Sequence, residues 1–201
     1  STFTYTTLMS VCAKEGDKSG MMAHFRAMER DGLAPPTEAW NVVLNFCARQ
    51  RTAAQALDVL ARMRSGGIAR DATSYSTVIH ALVRADRVDS AKELLEEGLD
   101  EGVRPDAALF NAMLGGLAKN MRPYDAVELL SRMEGLGIAP DSLSYSLVMR
   151  GCVRARAPEL AVETLAQMRN ASLPVDAQAY NLVLSAQAGA GRLDDARTLL
   201  L

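Results

Sequence analysis

Three sets of side chains recur every 35 residues, and each set has one chemical character. Thr6, Asn41, Ser76, Asn111, Ser146 and Asn181 are short hydrogen-bonding groups with no apolar member. Asp71, Asp106, Asp141 and Asp176 are acceptors, with Pro36 ahead of them in the same column. Lys14, Arg49, Arg84, Lys119 and Arg154 are cations, interrupted only by Gly189. An amide or hydroxyl paired with a carboxylate offers donors and acceptors to a flat polar edge, while cations at constant rise follow a regular chain of negative charges. The formal net charge is −2, so a uniformly positive column is not a by-product of a basic composition. Plainer readings exist for each set. Ser, Thr and Asn favour helix starts, Pro-Asp is common turn and cap chemistry, and a charged column usually faces solvent. No packing pattern calls for the three columns together, and together they favour ligand binding over pure scaffolding.

The elements that position them follow from a fourth column, the aromatics Tyr5, Trp40, Tyr75, Phe110, Tyr145 and Tyr180, on the same 35-residue beat. A strict period of this length means one structural unit copied end to end, each copy leaning on its neighbours. The units run 2–36, 37–71, 72–106, 107–141 and 142–176, with a partial sixth at 177–201. Each is helical twice over. Tyr75, Val78, Ile79 and Leu82 recur at three- and four-residue spacing, then Val88, Ala91, Leu94 and Leu95 do the same. Pro123 and Pro158 stand just before the second helix, where a missing N–H is harmless. Gly32, Gly67, Gly102 and Gly137 end that helix, and Pro35, Pro105 and Pro140 follow. Ala56, Ala91, Ala126, Ala161 and Ala196 allow close helix approach, and Phe25, Leu60, Leu95, Leu130, Leu165 and Leu200 fill the space behind. Helices near or below ~12–15 residues are marginal alone, so stacking must hold them. The expected fold is all-α: a solenoid of antiparallel helix pairs forming one array over residues 1–201, with five whole repeats and part of a sixth. The chain opens on a unit boundary and stops inside a helix without polar capping units, which predicts a fragment of a longer protein.

Other chemistries find little support. Cys12, Cys47 and Cys152 share one packing column with Leu82, Leu117 and Gln187. Stacked helices about 8–10 Å apart hold such residues too far apart for a disulfide, so three free thiols are expected. His24 and His80 stand in unrelated columns, and neither a metal site nor a cofactor is expected. No apolar run nears the ~18 residues of a membrane span, and no targeting segment is present in the chain. Glu96-Glu97 and Asp194-Asp195 read as solvated surface acids, and with no nucleophile beside a base, no catalytic residue is assigned and no enzyme is expected.

The motifs Tyr75-Ser76-Thr77-Val78-Ile79, Ala91-Lys92-Glu93-Leu94-Leu95 and Gly102-Val103-Arg104-Pro105-Asp106 resemble the pentatricopeptide repeat, in its plain uniform class, across nearly the whole chain. The related tetratricopeptide pattern is about 34 residues long, and the unvarying beat here counts against it. The resemblance implies a right-handed superhelix that binds single-stranded RNA, one base per repeat. The residue after the aromatic and the last residue of the repeat would select the base, and the helix-end cation would approach a phosphate. Asn41 with Asp71 and Asn111 with Asp141 would prefer uracil, Ser76 with Asp106 and Ser146 with Asp176 guanine, giving a tract U-G-U-G. Thr6 with Pro36 assigns no base, and Asn181 suggests a pyrimidine. The family's small apolar clamp, two positions before the aromatic, reads here Phe3, Glu38, Thr73, Ala108, Leu143 and Gln178, which predicts modest affinity. By the same resemblance the protein works in a mitochondrion or chloroplast, in RNA processing, stability or translation. The alternative is a protein-interaction scaffold within a larger ribonucleoprotein, contacting protein subunits as well as RNA. The net negative charge and the loose clamp favour that alternative.

Overall fold

The structure, a computed structural model, describes residues 1–192, so Ala196, Leu200 and the Asp194-Asp195 pair lie outside the described residues. Every described element is an α-helix, and the chain divides into two compact units, Ser1–Pro105 and Asp106–Leu201. The first unit holds α1 (Thr2–Glu15), α2 (Lys18–Arg30), α3 (Thr37–Arg49), α4 (Ala53–Ser65), α5 (Ala72–Arg84) and α6 (Val88–Asp100). The second holds α7 (Ala107–Lys119), α8 (Pro123–Gly135), α9 (Ser142–Ala155), α10 (Pro158–Asn170) and α11 (Ala177–Gly189). Helices of 13 or 14 residues are too short to be stable alone, so their register depends on the neighbours they bury against.

In the first unit α1 packs on α3 and α3 on α5, with α2, α4 and α6 each paired to the helix before it. The second unit repeats the arrangement, α9 lying between α7 and α11, with α8 and α10 behind. The alanines Ala56, Ala91, Ala126 and Ala161 are fully buried where the helices approach, and Leu60, Leu95, Leu130 and Leu165 fill the core behind them. Tyr75, Phe110 and Tyr145 are buried as well. The two tyrosine phenols are satisfied: Tyr75 donates to Glu101 Oε2 at 2.7 Å and Tyr145 to Glu134 Oε1 at 3.3 Å. Tyr5, the counterpart of Tyr75, donates to Asp31 at 2.6 Å, and so ties α1 to the end of α2.

Boundaries follow the local chemistry. Pro123 and Pro158 open α8 and α10. Gly32, Gly67, Gly102 and Gly137 take left-handed φ values of 74°, 67°, 80° and 76° just past the second helices, where a side chain would be strained. This turn lets Leu33 N–H reach Met28 O at 3.1 Å and Ile138 N–H reach Met133 O at 3.1 Å, satisfying carbonyls the helix would otherwise leave bare. Four of the first helices make the same turn without glycine. Arg51, Asp86, Met121 and Arg156 adopt positive φ without being glycine, and the next N–H closes onto the helix, as Thr52 does on Cys47 O and Ala157 on Cys152 O.

The three cysteines are free thiols, Cys12 half-buried, Cys47 and Cys152 buried. Burial raises the Cys47 thiol and pushes that of Cys152 up to about 12, so both stay protonated and poorly reactive at neutral pH. Among the described residues no helix is long and apolar enough to cross a membrane.

Candidate nucleic-acid interface

The site is built where each first helix begins. Asp71, Asp106, Asp141 and Asp176 are the N-caps of α5, α7, α9 and α11, accepting from the N–H groups of Ser74, Leu109, Ser144 and Ala179 at 2.8 to 2.9 Å. The capping reading therefore holds for the aspartates, a role typically worth ~1 kcal/mol each. Pro36 begins α3 without a side-chain cap bond.

The polar column does not cap. Thr6, Asn41, Ser76, Asn111, Ser146 and Asn181 are each the fifth residue of their helix, a turn beyond the free N–H groups. Their hydroxyls turn back on their own helix: Thr6 donates to Thr2 O at 2.9 Å, Ser76 to Thr73 O at 3.3 Å and Ser146 to Ser142 O at 2.8 Å. The asparagines reach further. Asn41 Nδ2 donates to both carboxylate oxygens of Asp71 at 3.2 Å, and Asn111 Nδ2 to those of Asp141 at 3.3 and 3.4 Å. The two pairs assigned to uracil are thus in contact, 30 residues apart in sequence. Ser146 and Asp176 each serve their own backbone, and Asn181 is exposed on α11. Ser76 and Asp106 belong to different units, so their pairing stays an expectation.

Two residues that the periodic reading did not single out complete the cluster. Ser74 and Ser144 are fully buried, and their hydroxyls lie 2.7 Å from Asn41 Oδ1 and Asn111 Oδ1. Each also faces the capping carboxylate, at 2.8 Å from Asp71 and 2.9 Å from Asp141. They stand one residue before the aromatic, in a column of mixed chemistry, which is why reading for uniform columns passes over them. A search for residues that vary in step with the preceding repeat's asparagine would find them.

Electrostatics follow from these bonds. Partial burial alone would raise the Asp71 carboxyl, but bonds from the Ser74 N–H, the Ser74 hydroxyl and the Asn41 amide outweigh it, leaving the pKa below the ordinary carboxylate value. Asp141 is lowered too, with burial opposed by Ser144 and Asn111 in the same way. Lys14, Arg49 and Arg84 in one unit, and Lys119 and Arg154 in the other, are exposed on the last turns of their helices. Arg49 also donates to Ala13 O at 3.3 Å and Arg154 to Lys119 O at 3.4 Å, so these two cations sit at the negative end of the neighbouring helix. The clamp column is the second residue of each first helix, and Phe3, Glu38, Thr73, Ala108, Leu143 and Gln178 are all exposed there. Among the described residues no group of three or more His, Cys, Asp or Glu side chains could hold a metal ion.

Antiparallel helix pairs on a 35-residue beat, with a polar side chain at the fifth position of the first helix of each pair, define a helical-repeat protein. Residues 2–183 match the family described as the pentacotripeptide-repeat region of PRORP, and the chain belongs to this pentatricopeptide repeat family. Among solved structures it is similar to the pentatricopeptide repeat protein PPR10 in complex with an 18-nt psaJ RNA element, at 28% identity and a TM-score of 0.67. That match covers 100% of this chain and 28% of the PPR10 chain, so this sequence spans little more than a quarter of that protein. The PPR domain of Arabidopsis thaliana protein-only RNase P 1, in complex with tRNA, matches at 15% identity with a TM-score of 0.72, over 90% of this chain and 95% of that one. Nuclear proteinaceous RNase P 2 from A. thaliana matches at 16% and 0.78, over 94% of this chain and 43% of that one. The two RNase P likenesses speak to the fold alone. No match was found among curated proteins.

Proposed function

We propose that this chain binds single-stranded RNA through its repeats, with one base per repeat and a preferred core tract of U-G-U-G. The observation that carries the reading is the amide–carboxylate contact made by Asn41 with Asp71 and repeated by Asn111 with Asp141. An amide already held by a carboxylate keeps one N–H and an oxygen lone pair for a pyrimidine edge, and spends little entropy on binding. Ser146 with Asp176 presents a hydroxyl and an acceptor to guanine, the resemblance implies the same of Ser76 with Asp106, and Lys14, Arg49, Arg84, Lys119 and Arg154 approach phosphates. Similarity to an RNA-bound pentatricopeptide repeat protein supports the partner class. The chain supplies recognition, and any chemistry on the RNA belongs to another part of the protein or to a partner. Work in a mitochondrion or chloroplast, in RNA processing, stability or translation, is part of the same proposal.

The second reading, a scaffold for ribonucleoprotein subunits, draws on the clamp column. Exposed Phe3 and Leu143 suit a protein surface as well as a base, and exposed Glu38 repels a polyanion. The deciding experiment changes Asn111→Ser, which gives the fourth repeat the Ser–Asp pair of its neighbours while leaving buried Phe110, Met113 and Leu114 in place. Competition between two short RNAs that differ only at the third base of the tract should show the preference moving from uracil to guanine by ~1 kcal/mol or more. A preference that stays put in the variant favours the scaffold.

A further inference from the structure

What an amide reads depends on which of its ends faces outward. Asp141 only accepts, so the Nδ2 end of Asn111 must face it, at 3.3 and 3.4 Å. The Oδ1 end then faces the Ser144 hydroxyl at 2.7 Å. Ser144 is fully buried, its oxygen accepts the Asp141 N–H at 3.2 Å, and its single proton has Asn111 Oδ1 and Asp141 Oδ1 within reach. Asn41, Asp71 and Ser74 repeat the arrangement contact for contact.

The column to which these serines belong reads Thr4, Ala39, Ser74, Leu109, Ser144 and Ala179. Serine stands there after each whole repeat that carries asparagine, Asn41 and Asn111. After Ser76 and Ser146 the residues are Leu109 and Ala179, and after Thr6 the residue is Ala39. Ser74 and Ser144 also close capping boxes with Asp71 and Asp141, but Asp106 and Asp176 cap α7 and α11 at 2.8 and 2.9 Å with no serine present, so a cap at this position does not require one. What tracks the serine is the amide.

The geometry points to Ser74 and Ser144 as positioning residues for base selection: each holds the amide of the preceding repeat's asparagine in one orientation, and so separates uracil from cytosine. The two pyrimidines have the same outline but opposite order along the pairing edge. Uracil sets a carbonyl acceptor beside the N3–H donor, whereas cytosine sets an amino donor beside an N3 acceptor. An amide free to turn over serves either edge, and one held at both ends serves one. Without the serine, Asp141 still attracts the nitrogen end, but the oxygen end loses this donor and turning over becomes easier. The inference rests on the base reading proposed above.

The test uses the whole chain with Ser144→Ala, Ser144→Thr and Ser74→Ala, competing U-G-U-G against RNAs with cytosine or guanine at the third base, or cytosine at the first, at one salt concentration. Ser144→Ala should cut the uracil-to-cytosine ratio at the third base about fivefold, the typical net worth of one hydrogen bond, while the uracil-to-guanine ratio and the other three bases hold. Ser144→Thr keeps the hydroxyl and should keep the ratio. Ser74→Ala should act the same way at the first base only, an independent reading in the other unit should Ser144→Ala fail to fold. In an Asn111→Ser background Ser144→Ala should change no ratio, since no amide remains to be held. An unchanged uracil-to-cytosine ratio in both alanine variants, with only a lower melting temperature, would make these serines helix-start residues and overturn the inference. A wild-type chain that does not distinguish bases at these positions overturns the base reading itself, and is seen before any variant is made.

Discussion

A single carboxylate at Asp141 accepts from the Ser144 N–H, the Ser144 hydroxyl and the Asn111 amide, so the group that begins α9 also holds the amide proposed to read a base. This sharing has a pH signature. With the folded pKa lowered, the unfolded chain binds more protons in acid, and the stabilisation is present above the ordinary carboxylate value of ~3.9 and lost as pH falls through the lower folded value. Asp71 adds a contribution of the same sign. Replacing Asp141→Ala should cost about 1 kcal/mol at pH 7, as the loss of a cap does. Urea midpoints of wild type and variant should then converge as pH falls through the lowered folded value, where the wild-type carboxyl takes up its proton. A gap that stays constant with pH would mean that the charge of Asp141 is not what stabilises the start of α9.

At the scale of elements, both helices of a pair stop on a left-handed residue, which after the second helix is glycine for α2, α4, α6 and α8 and Ser172 for α10. Gly137, after α8, is at φ 76° and has nothing within 4 Å of where a Cβ would sit. Gly137→Ala therefore meets no steric clash and pays only for the left-handed backbone, lowering stability by about 1 kcal/mol. Gly135, the last residue of α8, also has open space around its Cβ position but has ordinary helical geometry, and Gly135→Ala should raise stability by up to ~1 kcal/mol. Thermal melts of the two variants should shift in opposite directions. First helices end on Gly16, Arg51, Asp86, Met121, Arg156 and Gly191 in the same left-handed region, held there by backbone bonds such as Arg122 N–H to Leu117 O at 3.0 Å.

For the whole molecule the relevant quantity is how charge is distributed. A net charge of −2 gives no general attraction to RNA, so the proposed binding rests on local cations such as those at the helix ends. If Lys14, Arg49, Arg84, Lys119 and Arg154 all meet phosphates, log K should fall against log salt with a slope of about −3.5, at ~0.7 per contact on a single strand. Arg49→Ala should reduce that slope by ~0.7 without altering base preference, because a phosphate contact carries no sequence information. A slope near zero would remove backbone tracking and leave the scaffold reading.

The sequence alone determined the periodic part of this protein. Helix pairs, their starts at residues 2, 37, 72, 107, 142 and 177, the glycine stops and the buried alanines were legible because repeated packing forces one residue type into one column. The columns of polar residues, aspartates and cations were legible for the same reason. Several features were decided only by tertiary structure: that the polar column sits inside the helix and does not cap it, that the aspartates do cap, and that Arg49 and Arg154 touch a neighbouring helix end. The same holds for the joining of Ser74 to Asn41 and of Ser144 to Asn111 across 33 residues. A column reports what every repeat shares, whereas a hydrogen bond between consecutive repeats depends on two different columns and on the 2.7 Å that packing sets between them. Periodicity fixes the scaffold, and the contact between neighbours decides which amide it holds still.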